Sequence, residues 1–167
     1  MENFERIQKI KKIGSQEAYL AVGIALAIDL CVITWWYLDN DYQWLIDHGY
    51  VWKFPLAAIF MIFLGQFFGK KFALGIIGKS WNWIFQGPIC AMITLAATCL
   101  LTGLTAFPID FMRGFTEADD LLFYTLGVTL LVILYSFIPV GIHGVWFGYR
   151  IYKKGLKTGL YEEDEKP

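Results

Sequence analysis

Residues 83–107 read WIFQGPICAMITLAATCLLTGLTAF, 25 positions without one Asp, Glu, Lys, Arg or His. As a helix this stretch rises about 38 Å, more than the roughly 30 Å of hydrocarbon in a bilayer. Its residues do not alternate between polar and apolar, as a barrel strand in a membrane would. Hydrocarbon offers no partner to free backbone groups, so a helix is the conformation that crosses it.

Three further stretches match it. Residues 18–38 carry one charge, Asp29. Residues 54–72 are apolar as far as Phe68, with Pro55 in the first turn, where proline is tolerated. Residues 121–149 again lack Asp, Glu, Lys and Arg. The whole chain is 167 residues, 57% hydrophobic and 17% charged, with a net charge of −1. An ordinary soluble domain is nearer ~45–50% apolar and ~25% charged. The balance excludes a disordered chain, and the missing basic excess argues against a nucleic-acid partner.

Charge sorts the connections between these spans. Twelve of the 14 Lys and Arg lie in residues 1–17, 69–82 and 150–167. The loops on the other side hold Lys53 and Arg113 against seven acids: Asp39, Asp41, Asp47, Asp110, Glu117, Asp119 and Asp120. The cation-rich side is the cytoplasmic one. The sequence therefore predicts an all-α integral membrane protein with four transmembrane helices, as two in-out-in hairpins with both termini inside. Residues 1–17 are expected to form an amphipathic arm on the inner leaflet or in solvent, and residues 150–167 a basic and then acidic tail. No cleavable leader is evident, so span one is read as a retained anchor. Trp35, Trp36 and Trp52 mark the outer interface and Trp81, Trp83 and Trp146 the inner one. Trp44 falls in the outer loop, on the membrane surface.

Spans two and four end alike, in Gly65-Gln66-Phe67-Phe68-Gly69-Lys70-Lys71 and Gly144-Val145-Trp146-Phe147-Gly148-Tyr149-Arg150. Each holds a G-x-x-x-G, which lets a second backbone approach closely. The shared ending suggests a parallel internal repeat of two hairpins. Gly65, Gly69, Gly144 and Gly148 are thus the expected helix-packing positions. The 29 residues of span four would reach about 43 Å as a helix, so it must tilt, extend past the bilayer or break. Pro139, Gly141 and Gly144 are where a kink is expected.

Polar residues within the spans are the candidate site. Asp29 sits eleven residues into span one, at a four-residue spacing from Ala21 and Ala25, and so is expected to face protein. Two readings stand for it: a carboxyl that handles protons or cations, or one that fixes helix packing. His143 is the one histidine within a span. Thr94, Thr98, Thr102 and Thr105 recur on one face of span three, and Thr125, Thr129, Ser136 and His143 on one face of span four. Asp29, His143, Thr94, Thr98, Thr102 and Ser136 outline a narrow polar path. The plainer reading has each threonine bonding the carbonyl one turn back.

Cys31, Cys90 and Cys99 lie within spans and form no redox or disulfide pattern. Asp39, Asp41, Asp47 and His48 offer a possible outer cation site, with solvated loop acids as the ordinary alternative. No P-loop, H-E-x-x-H, G-x-S-x-G or dinucleotide fingerprint occurs. The expected protein is non-enzymatic and needs no cofactor. Its partners are the lipid bilayer and either further copies of itself or other membrane subunits. Its expected role is an oligomeric pathway, or transport-associated component, for a small solute, ion or lipid headgroup. The alternative is a structural or assembly subunit of a larger membrane complex.

In layout, in Val22-Gly23 with Asp29 on span one, and in the aromatic–Gly–Lys ending of span two, the chain resembles the GtrA-like family. That family of small four-span proteins is linked to the movement of lipid-carried sugars. Gly69-Lys70 stands where the family has an Asn-Arg and aromatic signature, and no residue role is carried over.

Overall fold

A computed structural model describes residues 2–39, 51–114, 117 and 120–161. The described residues form helices: α1 (Glu2–Asp39), α2 (Lys53–Gly78), α3 (Trp83–Met112) and α4 (Val128–Lys157), the last entered through a π-helical turn at Phe123–Gly127. Four helical segments are long and apolar enough to cross a membrane, which makes the chain a multi-pass membrane protein. Trp44, Asp41, Asp47 and His48 lie outside the described residues.

Every helix outruns its expected span. The 38 residues of α1 reach about 57 Å, nearly twice the hydrocarbon thickness. Apolar runs stop at the first charge, but helices continue wherever that charge finds a partner. Lys53 opens α2, Asp110 lies inside α3, and Arg150 and Lys154 lie inside α4. Helix α4 continues through Pro139.

Small residues set the packing. A side chain on Gly14 would collide with the Gly69 carbonyl and Ala73, one on Gly69 would meet Ala18 Cβ at 2.7 Å, and one on Gly65 would meet Val22 at 2.8 Å. Helices α1 and α2 therefore run antiparallel, with Gly14-Ala18-Val22 of one descending along Ala73-Gly69-Gly65 of the other. The same device joins α3 to α4. Gly87 abuts the Gly144 carbonyl, Gly144 lies 2.5 Å from Pro88 Cα by the same measure, and Gly148 lies against the Trp83 carbonyl. All four glycines singled out by the sequence are buried in contacts within this chain.

The tightest apolar core sits at the end that carries both termini. Ile10, Ile76, Ile77 and Ile151 are fully buried there, with Ile13, Leu160 and Tyr161 beside them. The Arg6 guanidinium donates to the Leu160 carbonyl at 2.9 Å, and the Tyr161 hydroxyl donates to the Ile76 carbonyl at 3.2 Å. Residues 1–17 are thus no separate arm, nor is the start of the tail free. Phe4 and Ile7 are exposed, but Ile10 and Ile13 of the same amphipathic stripe dock on the bundle, which takes their side chains out of water.

A tight turn joins α2 to α3 at this end. Gly75 lies under the Trp81 indole and accepts from the amides of Lys79 and Trp81, both at 3.1 Å. Asn82 caps α3, its side chain accepting from the Ile84 amide at 3.0 Å.

Candidate functional site

Three polar features lie along the bundle axis, and two of them are built on carboxylates read as loop or arm residues. The first is Glu17 on α1, with 1% of its surface exposed. It accepts from Arg150 and lies 2.5 Å from the Lys154 ammonium, both one face of α4. The Arg150 guanidinium in turn lies 5.3 Å from the centre of the Trp146 ring. An acid this deeply buried needs paired charge to offset its lost hydration. The cluster ties the first helix to the last at the termini-bearing end.

The second feature is a cavity of about 90 Å³ in the middle of the bundle, with lining from all four helices. Its walls are small or apolar, among them Ala18, Ala21, Met61 and Gly65, and its polar groups are Thr94 and His143. The Thr94 hydroxyl donates to the Cys90 carbonyl at 2.8 Å, as a buried threonine in a helix often does. His143 Nε2 lies 3.0 Å from the Ala21 carbonyl. A carbonyl only accepts, so Nε2 carries the hydrogen and Nδ1 is left as an acceptor.

The third feature is Asp110, near the opposite end of α3 and 2% exposed. One of its oxygens, Oδ2, accepts from the Tyr124 hydroxyl and lies 2.5 Å from the Lys53 ammonium. Lys53 also sits 4.8 Å from the centre of the Tyr124 ring. The other oxygen, Oδ1, is buried and meets no hydrogen-bond partner. Tyr124 belongs to the π-helical turn, in which the Val128 amide reaches back five residues to the Phe123 carbonyl. Such a turn inserts one residue into the helix and re-aims its neighbours.

The expected path is assembled only in part. Thr94 and His143 share the cavity, and Thr98 and Thr102 continue along the inward face of α3. Thr105 is exposed, because four-residue steps bring Ala106 and Asp110, not Thr105, to that face. Thr125 and Thr129 are buried and bond their own helix at 2.7 and 2.6 Å, while Ser136 is half-buried.

Asp29 does not face the interior. Ala18 and Ala21 are buried and Ala25 is half-buried, but Asp29 is exposed. A four-residue step overshoots one turn by about 40°, so two steps beyond Ala21 the row has rotated about 80° out of the contact. Asp29 lies about 18 Å along α1 from Glu17, well inside a bilayer-sized span.

Glu17, Lys53, Asp110, Gly14 and Gly87 are structural positions that hydropathy alone passed over. Two signals for them exist in the sequence. Gly14-x-x-x-Ala18 has small-residue spacing, and the Thr94-Thr98-Thr102 register, carried on by fours, reaches Asp110. No family model, curated protein or solved structure matches this chain.

Proposed function

We propose that the chain is a non-enzymatic membrane component that works as an oligomer in the passage of a small solute, an ion or a lipid headgroup. The observation that carries this reading is the exposed carboxyl of Asp29. An acid at this depth costs roughly 2.5–3.5 kcal/mol on insertion scales. Acids within spans are rare and mark ion or substrate pathways, because the cost is tolerated only beside a polar partner or water. Asp29 is exposed and makes no hydrogen bond among the described residues, and in this reading a second copy supplies its partner.

The chain itself carries a matching donor. Ala21 meets His143 across the antiparallel α1–α4 contact, and the same register sets Asp29 level with Tyr135. Tyr135 is 82% exposed, an unusual place for a phenol within a span. A second copy would bring donor and acceptor together at one depth. In this reading both termini lie on the cytoplasmic side, and the two hairpins form a parallel repeat. The equivalent use of Gly65 and Gly69 against α1, and of Gly144 and Gly148 against α3, supports that repeat.

Cys31 tests the reading directly. It is exposed, whereas Cys90 is buried. It lies at the depth of Asp29 but about 200° around the helix, so the reagent's spacer must reach round one helix. A bifunctional maleimide applied to native membranes should join two copies through Cys31. Asp29→Leu should abolish the link while leaving the monomer folded. Extraction in mild detergent that yields one stable hetero-complex and no Cys31 link would replace this reading with that of a subunit in a larger assembly.

A further inference from the structure

Among the described residues, four buried side-chain atoms meet no hydrogen-bond partner: Trp52 Nε1, Thr98 Oγ1, Thr102 Oγ1 and Asp110 Oδ1. They are not scattered. Three belong to α3 and lie on its inward face, and the fourth belongs to the residue next to Lys53, the ion partner of Asp110. Buried polar groups in folded proteins are almost always satisfied by protein or by ordered water. An orphaned hydroxyl inside a membrane bundle is costly, and valine would fill the same space without that cost. Two such hydroxyls in register with a half-satisfied carboxylate therefore point to a ligand that hydrogen-bonds in both directions.

The surroundings narrow that ligand to water. The Thr94 end of the row opens on the central cavity, which His143 also lines, with its Nε2 turned to the Ala21 carbonyl. Towards Asp110 the row meets the π-helical turn, since Gly103 faces Thr125 at 3.3 Å and the Tyr124 carbonyl at 3.4 Å. The middle of the row holds neither a charge nor a second carboxylate to replace the hydration shell of a metal cation. Hydroxyls one turn apart, about 6 Å, are within reach of a single bridging water, whereas the two turns from Thr102 to Asp110, about 12 Å past the buried Ala106, require several. Below the cavity lies the Glu17 cluster, since Glu17 precedes the lining residue Ala18 and Arg150 lies three residues beyond the lining residue Phe147.

We propose that the inward face of α3 supports a file of water that relays protons between Asp110 and His143. It rests on the reading of the chain as a membrane-spanning passage component, and it locates a route inside one copy. A proton taken by Asp110 Oδ1 passes through water held by Thr102 and Thr98 to the cavity. There His143 Nδ1 accepts it and returns it to cavity water, while Nε2 stays hydrogen-bonded to the Ala21 carbonyl, which cannot take a proton. Only O–H and N–H bonds form and break, and one proton enters for each one released. Thr94 donates to its own helix, so it serves the file as an acceptor alone.

The test uses the full chain in lipid vesicles loaded with a pH-sensitive dye, under a potassium diffusion potential set by valinomycin. Proton entry above that of protein-free vesicles is expected. Thr98→Val and Thr102→Val should each lower it at least tenfold without lowering the melting temperature. Thr98→Ser, which keeps the hydroxyl, should restore it, and Thr105→Val on the exposed face should leave it unchanged. Entry equal to that of empty vesicles, or entry that survives the Thr98→Val/Thr102→Val double variant, would overturn the relay. So would a reversal potential that follows potassium instead of protons. Cys31 cross-linking in the same vesicles separates the two readings: a link without proton entry removes the relay and leaves the oligomer standing.

Discussion

Glu17 and Arg150 are 133 residues apart and form an ion pair, its carboxylate buried and its guanidinium partly exposed, that fastens the first helix to the last. Lys154 adds a second cation to the same carboxylate. Glu17→Gln keeps the shape and removes the charge that both cations answer. Arg150 and Lys154 remain more than a third exposed, so water screens much of the loss. A decrease of roughly 1–3 kcal/mol is expected, read as a lowered denaturation midpoint in detergent.

Lys53→Met should cost more than Asp110→Asn. The first leaves a carboxylate buried against Tyr124 without its cation, which typically costs about 3–5 kcal/mol. The second removes the buried charge and leaves Lys53, 17% exposed, closer to water. Thermal melting of the two variants side by side checks the order, and equal melting temperatures would contradict it.

Glycine substitutions should divide by helix face. Gly87→Ala forces apart α3 and α4, because the new methyl meets the Gly144 backbone, and Gly69→Ala does the same to α1 and α2. Losses of about 1–3 kcal/mol are expected, in the range of overpacked cores. Gly23→Ala and Gly141→Ala meet nothing within 4 Å. They should be neutral or stabilising by roughly 0.5–1 kcal/mol, from helix propensity alone.

Tyr161 should give the termini-bearing end an alkaline limit. Burial, and then the neighbouring Tyr152, push its phenol well above the ordinary tyrosine range. The unfolded chain would release that proton near pH 10, so the neutral phenol stabilises the fold fully below that pH. The contribution falls as pH rises above about 10, towards the raised value in the folded chain. Tyr161→Phe should flatten this alkaline loss. It should also cost about 1 kcal/mol at neutral pH, because the hydrogen bond to the Ile76 carbonyl is gone.

The candidate site was half legible in advance. The threonine register on α3 and the glycines of α2 and α4 follow from spacing, since a helix repeats its faces every three or four residues. That is why Thr94, Thr98, Gly69 and Gly148, which spacing places on one face, are buried. Asp110 and Glu17 were missed because a charge ends an apolar run whether or not it is later paired. Asp29 departs from the face its spacing predicts because a spacing of four drifts around the helix, and only the crossing of α1 with its neighbours decides where contact ends.

The sequence by itself determined the class of molecule: four apolar segments, each near or beyond the roughly 20 residues of helix that cross a bilayer. Hydropathy and charge are sums over neighbouring residues, so such totals are readable without a fold. The tertiary structure alone decided which polar groups meet. It paired Glu17 with Arg150 and Lys154, set Lys53 and Tyr124 on Asp110, and left Asp29 outside and Thr98 unanswered within. Those outcomes depend on groups far apart in the chain, and the cost of burying a charge or hydroxyl is set by what stands opposite it.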